Sequence, residues 1–266
     1  MERSGAVAFA GDWHGNTRWA RHCLRAIGEQ KIDTVFHLGD FGLWPGEEGE
    51  NYLRELHAEC EKAGIRIFIT LGNHEDYSRV ASMPTDEEGW LFLEPYPLFR
   101  FAPRGHVWRH GDVLFASLGG AGSVDYSLRT PGSSWWPEEA ITPQDVEALK
   151  NGLSAAGGGR VDVFLSHDAP AGLHRQGMLP RPSWITPEVE HYTWQGRVLL
   201  ADAVELAKPR ALLHGHWHEW HDDALEVGGD EMKVWGLPED GNWRNCISAL
   251  PVAGVGITEV KFALVQ

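Results

Sequence analysis

The sequence has few cysteines, and they are too dispersed for a disulfide framework or a structural zinc site. Cys23, Cys60 and Cys246 are the only three, and none of them belongs to a Cys-x-x-Cys pair. We therefore expect reduced, buried thiols and a cytoplasmic protein.

Long apolar runs are also missing. No stretch approaches the roughly 20 apolar residues that a bilayer-spanning helix requires. The first residues, Met1 to Gly5, lead directly into a short apolar run without a charged leader or a long apolar segment. We expect neither a membrane span nor a secretory signal.

Basic residues are scarce relative to acidic ones. The 23 lysines and arginines are outnumbered by 38 aspartates and glutamates, which gives a formal net charge of −15. This balance argues against extended nucleic-acid binding, which needs basic side chains to neutralise phosphates. A small phosphate ester or nucleotide remains compatible, because bound divalent cations would supply positive charge locally.

What the sequence does contain is a series of short apolar runs that alternate with helical segments. The runs predict strands at 7–10, 34–38, 65–71, 113–118, 161–165 and 211–213, with shorter candidates at 233–237 and 257–264. Helices are predicted at 17–30, capped by Thr17, and at 52–62. This alternation favours an α/β protein with a largely parallel sheet, and the later strands suggest a second sheet.

Two segments are predicted to be long loops, and no internal repeat or convincing linker interrupts the chain. The segments 119–143 and 170–187 are rich in glycine, proline and other turn-forming residues. The 266 residues are therefore predicted to form a single domain over 1–266.

Polar clusters follow the predicted strands. They are Gly11-Asp12-Trp13-His14-Gly15-Asn16, Gly39-Asp40, Gly72-Asn73-His74-Glu75, Ser166-His167 and Gly215-His216-Trp217-His218. Each cluster alone is weak evidence. Five of them in order, each ending an apolar run, make coincidence a poor explanation, and sites in open α/β sheets lie beyond the carboxyl ends of the strands.

The residue types indicate a metal site. Aspartate, histidine and asparagine offer oxygen and nitrogen ligands, and because no cysteine belongs to these clusters, soft-metal and iron–sulfur sites are disfavoured. The alternate spacing of Asp12 and His14 predicts that both side chains point to one side, as does that of His216 and His218. Asp40 can bridge two ions, and ions about 4 Å apart can clamp a phosphoryl group.

These five elements resemble the calcineurin-like metallophosphoesterase superfamily, whose pattern is DxH, GD, GNH(D/E), H and GHxH. The resemblance spans most of the chain and implies a four-layer αββα sandwich with two mixed β-sheets. It implies that a first metal ion is held by Asp12, His14, Asp40 and His218. It implies that a second is held by Asp40, Asn73, His167 and His216. We expect two divalent ions, Mn²⁺ foremost, with iron, zinc, nickel or cobalt as alternatives.

The resemblance also implies catalytic roles next to the metal ligands. His74 would lie close to the phosphate and either donate a proton to the leaving oxygen or stabilise the transition state. Glu75 would orient His74. The alternative for Glu75 is a carboxylate at a helix N-terminus, where it would interact with the helix dipole.

The segment 119–139, GGAGSVDYSLRTPGSSWWPEE, resembles a segment of small bacterial and phage members of the superfamily. Within it, Arg129 could bind a phosphate oxygen, and Trp135 or Trp136 could stack on a nucleobase. Asn16 could also touch the phosphate. The alternatives are pairing of Arg129 with a local carboxylate and packing of the two tryptophans against the body of the protein.

The motifs together predict a phosphoesterase in which a metal-bridging hydroxide attacks phosphorus. The Ser/Thr phosphatase branch carries GDxxDRG, but residues 39–46 read GDFGLWPG. We therefore favour phosphodiesters or small and cyclic nucleotides as substrates. The alternatives are a phosphomonoesterase or protein phosphatase, and a catalytically silent scaffold of the same fold.

The remaining histidines have no readable partner spacing. We expect structural or solvent-facing roles for His22, His57, His106, His174 and His191.

Overall fold

The computed structural model describes residues 5–173 and 185–264. The strands are β1 Val7–Ala10, β2 Thr34–His37, β3 Arg66–Thr70, β4 Leu91–Phe92, β5 Phe99–Ala102, β6 His106–His110, β7 Val113–Leu118, β8 Val163–Ser166, β9 Ala211–His214, β10 His221–Val227, β11 Asp230–Gly236, β12 Cys246–Val252 and β13 Gly256–Phe262. The helices are α1 Thr17–Glu29, α2 Gly46–Ala63, α3 Tyr77–Ser82, α4 Pro143–Ala155 and α5 Pro187–Ala207, and two short 3₁₀ turns occupy Tyr126–Leu128 and Pro137–Glu139.

The strands form two mixed sheets. The first has the order β13-β12-β1-β2-β3-β5-β4, and the second has the order β10-β11-β9-β8-β7-β6. The neighbours from β1 to β5 in the first sheet are parallel, and so are the neighbours from β11 to β7 in the second. Antiparallel strands complete the edges of each sheet. The predicted α/β fold with two mixed sheets is confirmed.

Strand β1 shows how the sequence produces the layers. Its side chains alternate, so that Val7 and Phe9 lie in the core between the two sheets, whereas Ala8 and Ala10 face the core beneath α1 and α2. A strand buried on both faces reads as a continuous apolar run. A third core packs α4 and α5 against the outer face of the second sheet. The layer order is therefore helix, sheet, sheet, helix.

The structure corrects two helix boundaries. The N-cap of α1 is Asn16 rather than Thr17, because the Asn16 side chain accepts a hydrogen bond from the backbone N–H of Trp19 at 3.1 Å. Helix α2 begins at Gly46, six residues before the predicted start at Tyr52. Its first turn is polar and has no apolar periodicity.

Helices α4 and α5 end the two segments that were predicted as loops. Helix α4 begins at Pro143 with a capping box formed by Thr142 and Asp145. Helix α5 begins at Pro187. Of the second predicted loop, residues 174–184 lie outside the described residues, and so does the prediction for His174.

The three cysteines are buried and unpaired, as predicted. Of the histidines expected to be structural or solvent-facing, His22 and His191 are exposed, while His57 and His106 are partly buried. No helix in the described part of the chain combines the length and apolarity that a bilayer crossing requires. The single-domain assignment stays a prediction.

Candidate metal centre

All five polar clusters lie at or just beyond the carboxyl ends of parallel strands. The strands concerned are β1, β2 and β3 in the first sheet and β8 and β9 in the second. The two sets meet across the sandwich, because Asp40 after β2 lies 3.4 Å from His167 after β8, and Asp12 after β1 lies 3.4 Å from His218 after β9. The stacking of the two sheets therefore brings residues from both ends of the sequence to one rim.

Left-handed backbone conformations are concentrated at this rim. In the described chain seven non-glycine residues have a positive φ, and five of them are predicted metal ligands: Asp12 (51°), His14 (45°), Asp40 (52°), His216 (64°) and His218 (57°). Non-glycine residues rarely adopt this conformation, and such strain clusters at functional sites. Left-handed turns, rather than a continuing strand, therefore direct these side chains, and Asp12 and His14 do point into one group of ligand atoms, as predicted.

Four of the predicted ligands form one tight group. Ligand atoms of Asp12, His14, Asp40 and His218 all lie within 4.8 Å of one another. The Nε2 atoms of His14 and His218 are 3.2 Å apart, and Nδ1 of His14 lies 3.9 Å from Oδ2 of Asp40. This is the set that the resemblance assigns to the first ion.

The other predicted ligands gather on the opposite side of Asp40. Nε2 of His167 lies 2.9 Å from Oδ1 of Asn73 and 3.4 Å from Oδ1 of Asp40. Nδ1 of His167 donates to the carbonyl of Leu38 at 2.7 Å, which turns Nε2 toward these oxygens. The ring centroid of His216 lies 4.9 Å from the ring centroid of His167.

The donor set suits divalent cations. Oδ2 of Asp40 is buried and has no hydrogen-bond partner among the described residues, although it lies 3.9 Å from ring nitrogens of both His14 and His74. Burial opposes ionisation of Asp40, but His167, His74 and His14 hold its pKa well below the usual range. Burial and His167 lower the pKa of His216, so its ring is neutral and offers a lone pair. A buried carboxylate oxygen that has no partner in the described part of the chain and lies among several histidine rings fits a metal site.

Arg129 lies directly against His74. Its Nη1 is 3.2 Å from Nδ1 of His74, and its Nη2 is 2.7 Å from Nε2. The guanidinium also pairs with Asp125 at 2.8 Å, which is the local pairing considered as an alternative. Burial lowers the pKa of His74, and the Arg129 charge lowers it further. The loop 119–139 thus places the positively charged guanidinium of Arg129 at the rim of the site.

Glu75 joins two of the turns instead of holding His74. Its buried carboxylate accepts hydrogen bonds from the backbone N–H groups of Gly72 and, at 2.7 Å, Phe41. Within the described part of the chain, no hydrogen bond joins Glu75 to the ring of His74. Asp76, not Glu75, caps the helix that follows. Burial raises the pKa of Glu75 to about 7.

The remaining predicted substrate contacts are occupied by protein groups. The amide of Asn16 caps α1 and donates to Asp240. The ring of Trp135 packs on Tyr126 at a centroid distance of 5.6 Å, and Trp136 is buried. These contacts correspond to the packing alternative for the tryptophan pair.

Asn245, which no sequence motif indicated, holds the turn of the first motif. Its Oδ1 accepts hydrogen bonds from the indole N–H groups of Trp13 and Trp19, both at 2.9 Å. Its Nδ2 donates to the carbonyls of Gly11 at 2.5 Å and Pro238 at 2.6 Å. Asn245 and Trp13 are 232 residues apart, so no local pattern could identify the contact.

Glu239 was also missed. Its carboxylate lies 3.1 Å from Nδ1 of His218, and the backbone N–H of the next residue, Asp240, donates to the carbonyl of Asp12 at 3.0 Å. A carboxylate on the second nitrogen of a histidine orients the ring and increases its basicity. The hydrogen bond that His218 donates to Asp12, and the charges of Asp12 and Glu239, together raise the pKa of His218 despite its partial burial.

Comparison with known proteins agrees with this geometry. The family model described as calcineurin-like phosphoesterase matches residues 5–220. No curated protein matches the chain in sequence.

Solved structures share the fold at low sequence identity. The protein TT1561 of Thermus thermophilus is 13% identical over 88% of this chain and 89% of its own, with a TM-score of 0.52. A dimetal phosphatase from Danio rerio is 14% identical over 91% and 92%, with a TM-score of 0.51. A further crystal structure is 16% identical over 98% of both chains, with a TM-score of 0.58. At these identities the likeness shows the fold alone, whereas the family model covers most of the sequence. The chain belongs to the calcineurin-like phosphoesterase family.

Proposed function

We propose that this protein is a phosphoesterase with a two-ion centre that acts on phosphodiesters or on small or cyclic nucleotides. The proposed ligands are Asp12, His14, Asp40, Asn73, His167, His216 and His218. The observation that carries the proposal is the position of Asp40. Its Oδ1 faces His167 at 3.4 Å and its Oδ2 faces His14 at 3.9 Å, so each oxygen of one buried carboxylate points to a different group of ligand atoms. That arrangement suits a bridging carboxylate.

The chemistry that the ions supply when bound is Lewis acidity toward the phosphoryl oxygens and a lowered pKa of a coordinated water. Mn²⁺ is the ion we expect, and iron, zinc, nickel and cobalt suit the same mixed donors. The Danio rerio neighbour is named as a dimetal phosphatase, which agrees with a pair of ions.

His74 and Arg129 are the proposed substrate-facing groups. The backbone N–H of His74 donates to Oδ1 of Asp40 at 2.9 Å, which holds the residue beside the ligands. Its lowered pKa favours a neutral ring, and a neutral imidazole still donates one N–H to a leaving oxygen. A phosphoryl oxygen would accept hydrogen bonds from the Arg129 guanidinium in place of the His74 ring, because a charged acceptor binds this donor more strongly.

The charge around Arg129 favours a diester. A phosphate monoester carries about 1.5 to 2 negative charges at neutral pH, whereas a diester carries one. The guanidinium that reaches His74 is already paired with Asp125, which reduces its capacity for a second negative charge. The missing Asp-Arg-Gly element agrees with this preference.

The test compares hydrolysis of bis(p-nitrophenyl) phosphate and p-nitrophenyl phosphate by the metal-free protein and by protein supplied with Mn²⁺. We expect Mn²⁺-dependent turnover with a higher kcat/KM for the diester. His74→Gln should lower kcat by about 10²–10⁴-fold, and Arg129→Ala by about 10²-fold. Arg109→Ala is the matched control, because Arg109 is an exposed arginine beside the opposite, amino-terminal end of β7.

Each alternative function has its own outcome in this test. A higher kcat/KM for the monoester would indicate a phosphomonoesterase or protein phosphatase instead. Elemental analysis that finds less than one metal ion per chain after metal is supplied, together with no turnover of either ester, would indicate a scaffold.

A further inference from the structure

We propose that Glu139 and Ser123 are positioning residues that fix the side-chain amide of Asn73 and thereby determine the affinity of the second ion. This inference rests on the proposed function. Ser123 reaches the proposed ligands through Asn73, which the resemblance assigns to the second ion, so we expect the consequences to be confined to that ion.

The contacts form an unbroken chain. Nδ2 of Asn73 donates to Oγ of Ser123 at 2.9 Å. Oγ of Ser123 donates to Oε2 of Glu139 at 2.6 Å, and the backbone N–H of Ser123 donates to Oε1 at 2.7 Å. The hydroxyl of Tyr192 donates to the same Oε1 at 2.9 Å. We call these four residues the Asn73 relay.

The single hydroxyl proton of Ser123 determines which group donates and which accepts at each hydrogen bond of the relay. A serine hydroxyl has one proton to donate, and the carboxylate of Glu139 takes it. Oγ of Ser123 can then only accept from Asn73, so the amide must present its NH₂ group to Ser123. The carbonyl oxygen Oδ1 of Asn73 is thereby turned to the other side, where Nε2 of His167 lies at 2.9 Å.

The relay fixes which end of the amide faces the second group of ligands. Oδ1 of Asn73 lies 2.9 Å from Nε2 of His167, which itself lies 3.4 Å from Oδ1 of Asp40. A reversed amide would present N–H groups to a cation, whereas a carbonyl oxygen can bind one. The relay holds the orientation that suits a cation.

Burial strengthens this control. Glu139, Ser123 and Asn73 are 0%, 1% and 2% exposed. A buried carboxylate is costly unless its oxygens accept hydrogen bonds, and three protein donors satisfy Glu139. Reversing the amide would leave the Oγ lone pairs of Ser123 facing the oxygen of Asn73 in a buried position, which is costly.

The relay also connects distant parts of the fold. Asn73 follows β3 in the first sheet, Ser123 follows β7 in the second sheet, Glu139 ends the loop 119–139, and Tyr192 belongs to α5. The loop that carries Arg129 is therefore tied at both ends to the second group of ligands.

The experiment measures Mn²⁺ binding to metal-free protein by calorimetry and elemental analysis, with hydrolysis of bis(p-nitrophenyl) phosphate as a second readout. For wild type we expect two ions per chain. For Ser123→Ala and Glu139→Gln we expect one site to keep its affinity and the other to weaken by about 10–100-fold. Ser123→Thr retains the hydroxyl and should restore most of the lost affinity. Tyr192→Phe removes one of the three donors to Glu139 and should have the smallest effect.

The outcomes separate the two proposals. Wild-type protein that binds fewer than two ions and hydrolyses neither ester overturns the proposed function. Wild-type protein that binds two ions and turns over the diester, with both affinities unchanged or equally reduced in Ser123→Ala, overturns the relay alone. If Ser123→Ala does not fold, Ser123→Thr and Tyr192→Phe decide. If Ser123→Thr weakens Mn²⁺ binding at the second site as much as Glu139→Gln does, a role for the Ser123 hydroxyl is contradicted.

Discussion

The proposed ligands fall into two groups that are held in different ways. Five of them have left-handed backbone conformations, and we call them the left-handed group: Asp12, His14, Asp40, His216 and His218. Asn73 and His167, the hydrogen-bonded pair, have no positive φ and are oriented by side-chain hydrogen bonds to distant residues.

The difference shows that ligand side chains are directed to one site by two routes, one through the backbone turn and one through side-chain hydrogen bonds. In the left-handed group the turn after each strand directs the side chain, and a glycine precedes Asp12, Asp40 and His216 in the sequence. In the hydrogen-bonded pair the direction depends on the carbonyl of Leu38 and on Ser123. The first route is encoded locally, whereas the second exists only after the sheets have packed.

Gly39 connects the two routes. It has a φ of 98°, which favours glycine, and an added Cβ would overlap the ring of His167 and come within 2.8 Å of the Cα of Gly72. The turn that directs Asp40 therefore packs directly against the ring of the hydrogen-bonded pair.

The largest effect is expected from Asp40→Asn, because Asp40 lies between the proposed ligands of the first ion and those of the second. The substitution removes the negative charge between His14 and His167 while keeping the shape. We expect loss of both ions and a fall in diester hydrolysis of at least about 10³-fold. Elemental analysis and turnover measurements check this, and a variant that still binds two ions would contradict a bridging role for Asp40.

Gly215→Ala should break the left-handed group selectively. An added Cβ at Gly215 would overlap the carboxylate of Asp12. We expect weaker binding of the first ion by at least about 10-fold and a loss of unfolding free energy of about 1–3 kcal/mol. Calorimetric Mn²⁺ titration and urea unfolding measure both.

The control for that variant is Gly196→Ala in α5, where an added methyl meets no atom within 4 Å. It should leave metal binding unchanged and increase stability by up to about 1 kcal/mol, because alanine is the better helix former. Equal metal affinities in the two variants would show that the close contact between Gly215 and Asp12 does not shape the first metal site.

Metal removal should show how far each group depends on the ions. At an Mn²⁺ concentration of about 100 times the Kd, each occupied site should stabilise the folded state by about 2.7 kcal/mol. We expect a lower Tm after chelation with an unchanged far-UV circular dichroism spectrum, because the strands are held by the three cores. A Tm that does not respond to Mn²⁺ would contradict ion binding at the rim.

The smallest effect is expected from Glu239→Gln. It removes the carboxylate 3.1 Å from Nδ1 of His218, so the affinity of the first ion should fall by about 10-fold. Glu259→Gln is the matched control, since this exposed glutamate pairs with Lys261 on β13. An equal change in the two variants would mean that Glu239 acts only through general surface charge.

Much of the fold could be predicted because buried strands and their end points are locally visible. The runs at 7–10, 113–118 and 211–213 coincide with strands to within one residue. The start of α2 was missed because Gly46-Glu47-Glu48-Gly49 carries no apolar repeat. The start of α4 was readable from Thr142-Pro143 and the acidic residue at the third position, but it lay in a segment rich in turn-forming residues.

By itself, the sequence determined the order of strand, glycine and polar side chain, and with it the donor chemistry of the site. That information is local, because backbone conformation and side-chain type depend on neighbouring residues. Only the tertiary structure decided that Glu239 meets His218, that Asn245 meets Trp13 and that Glu139 acts on Asn73 through Ser123. These contacts depend on how two sheets stack, and hydrogen bonds between residues so far apart leave no periodic pattern in the chain.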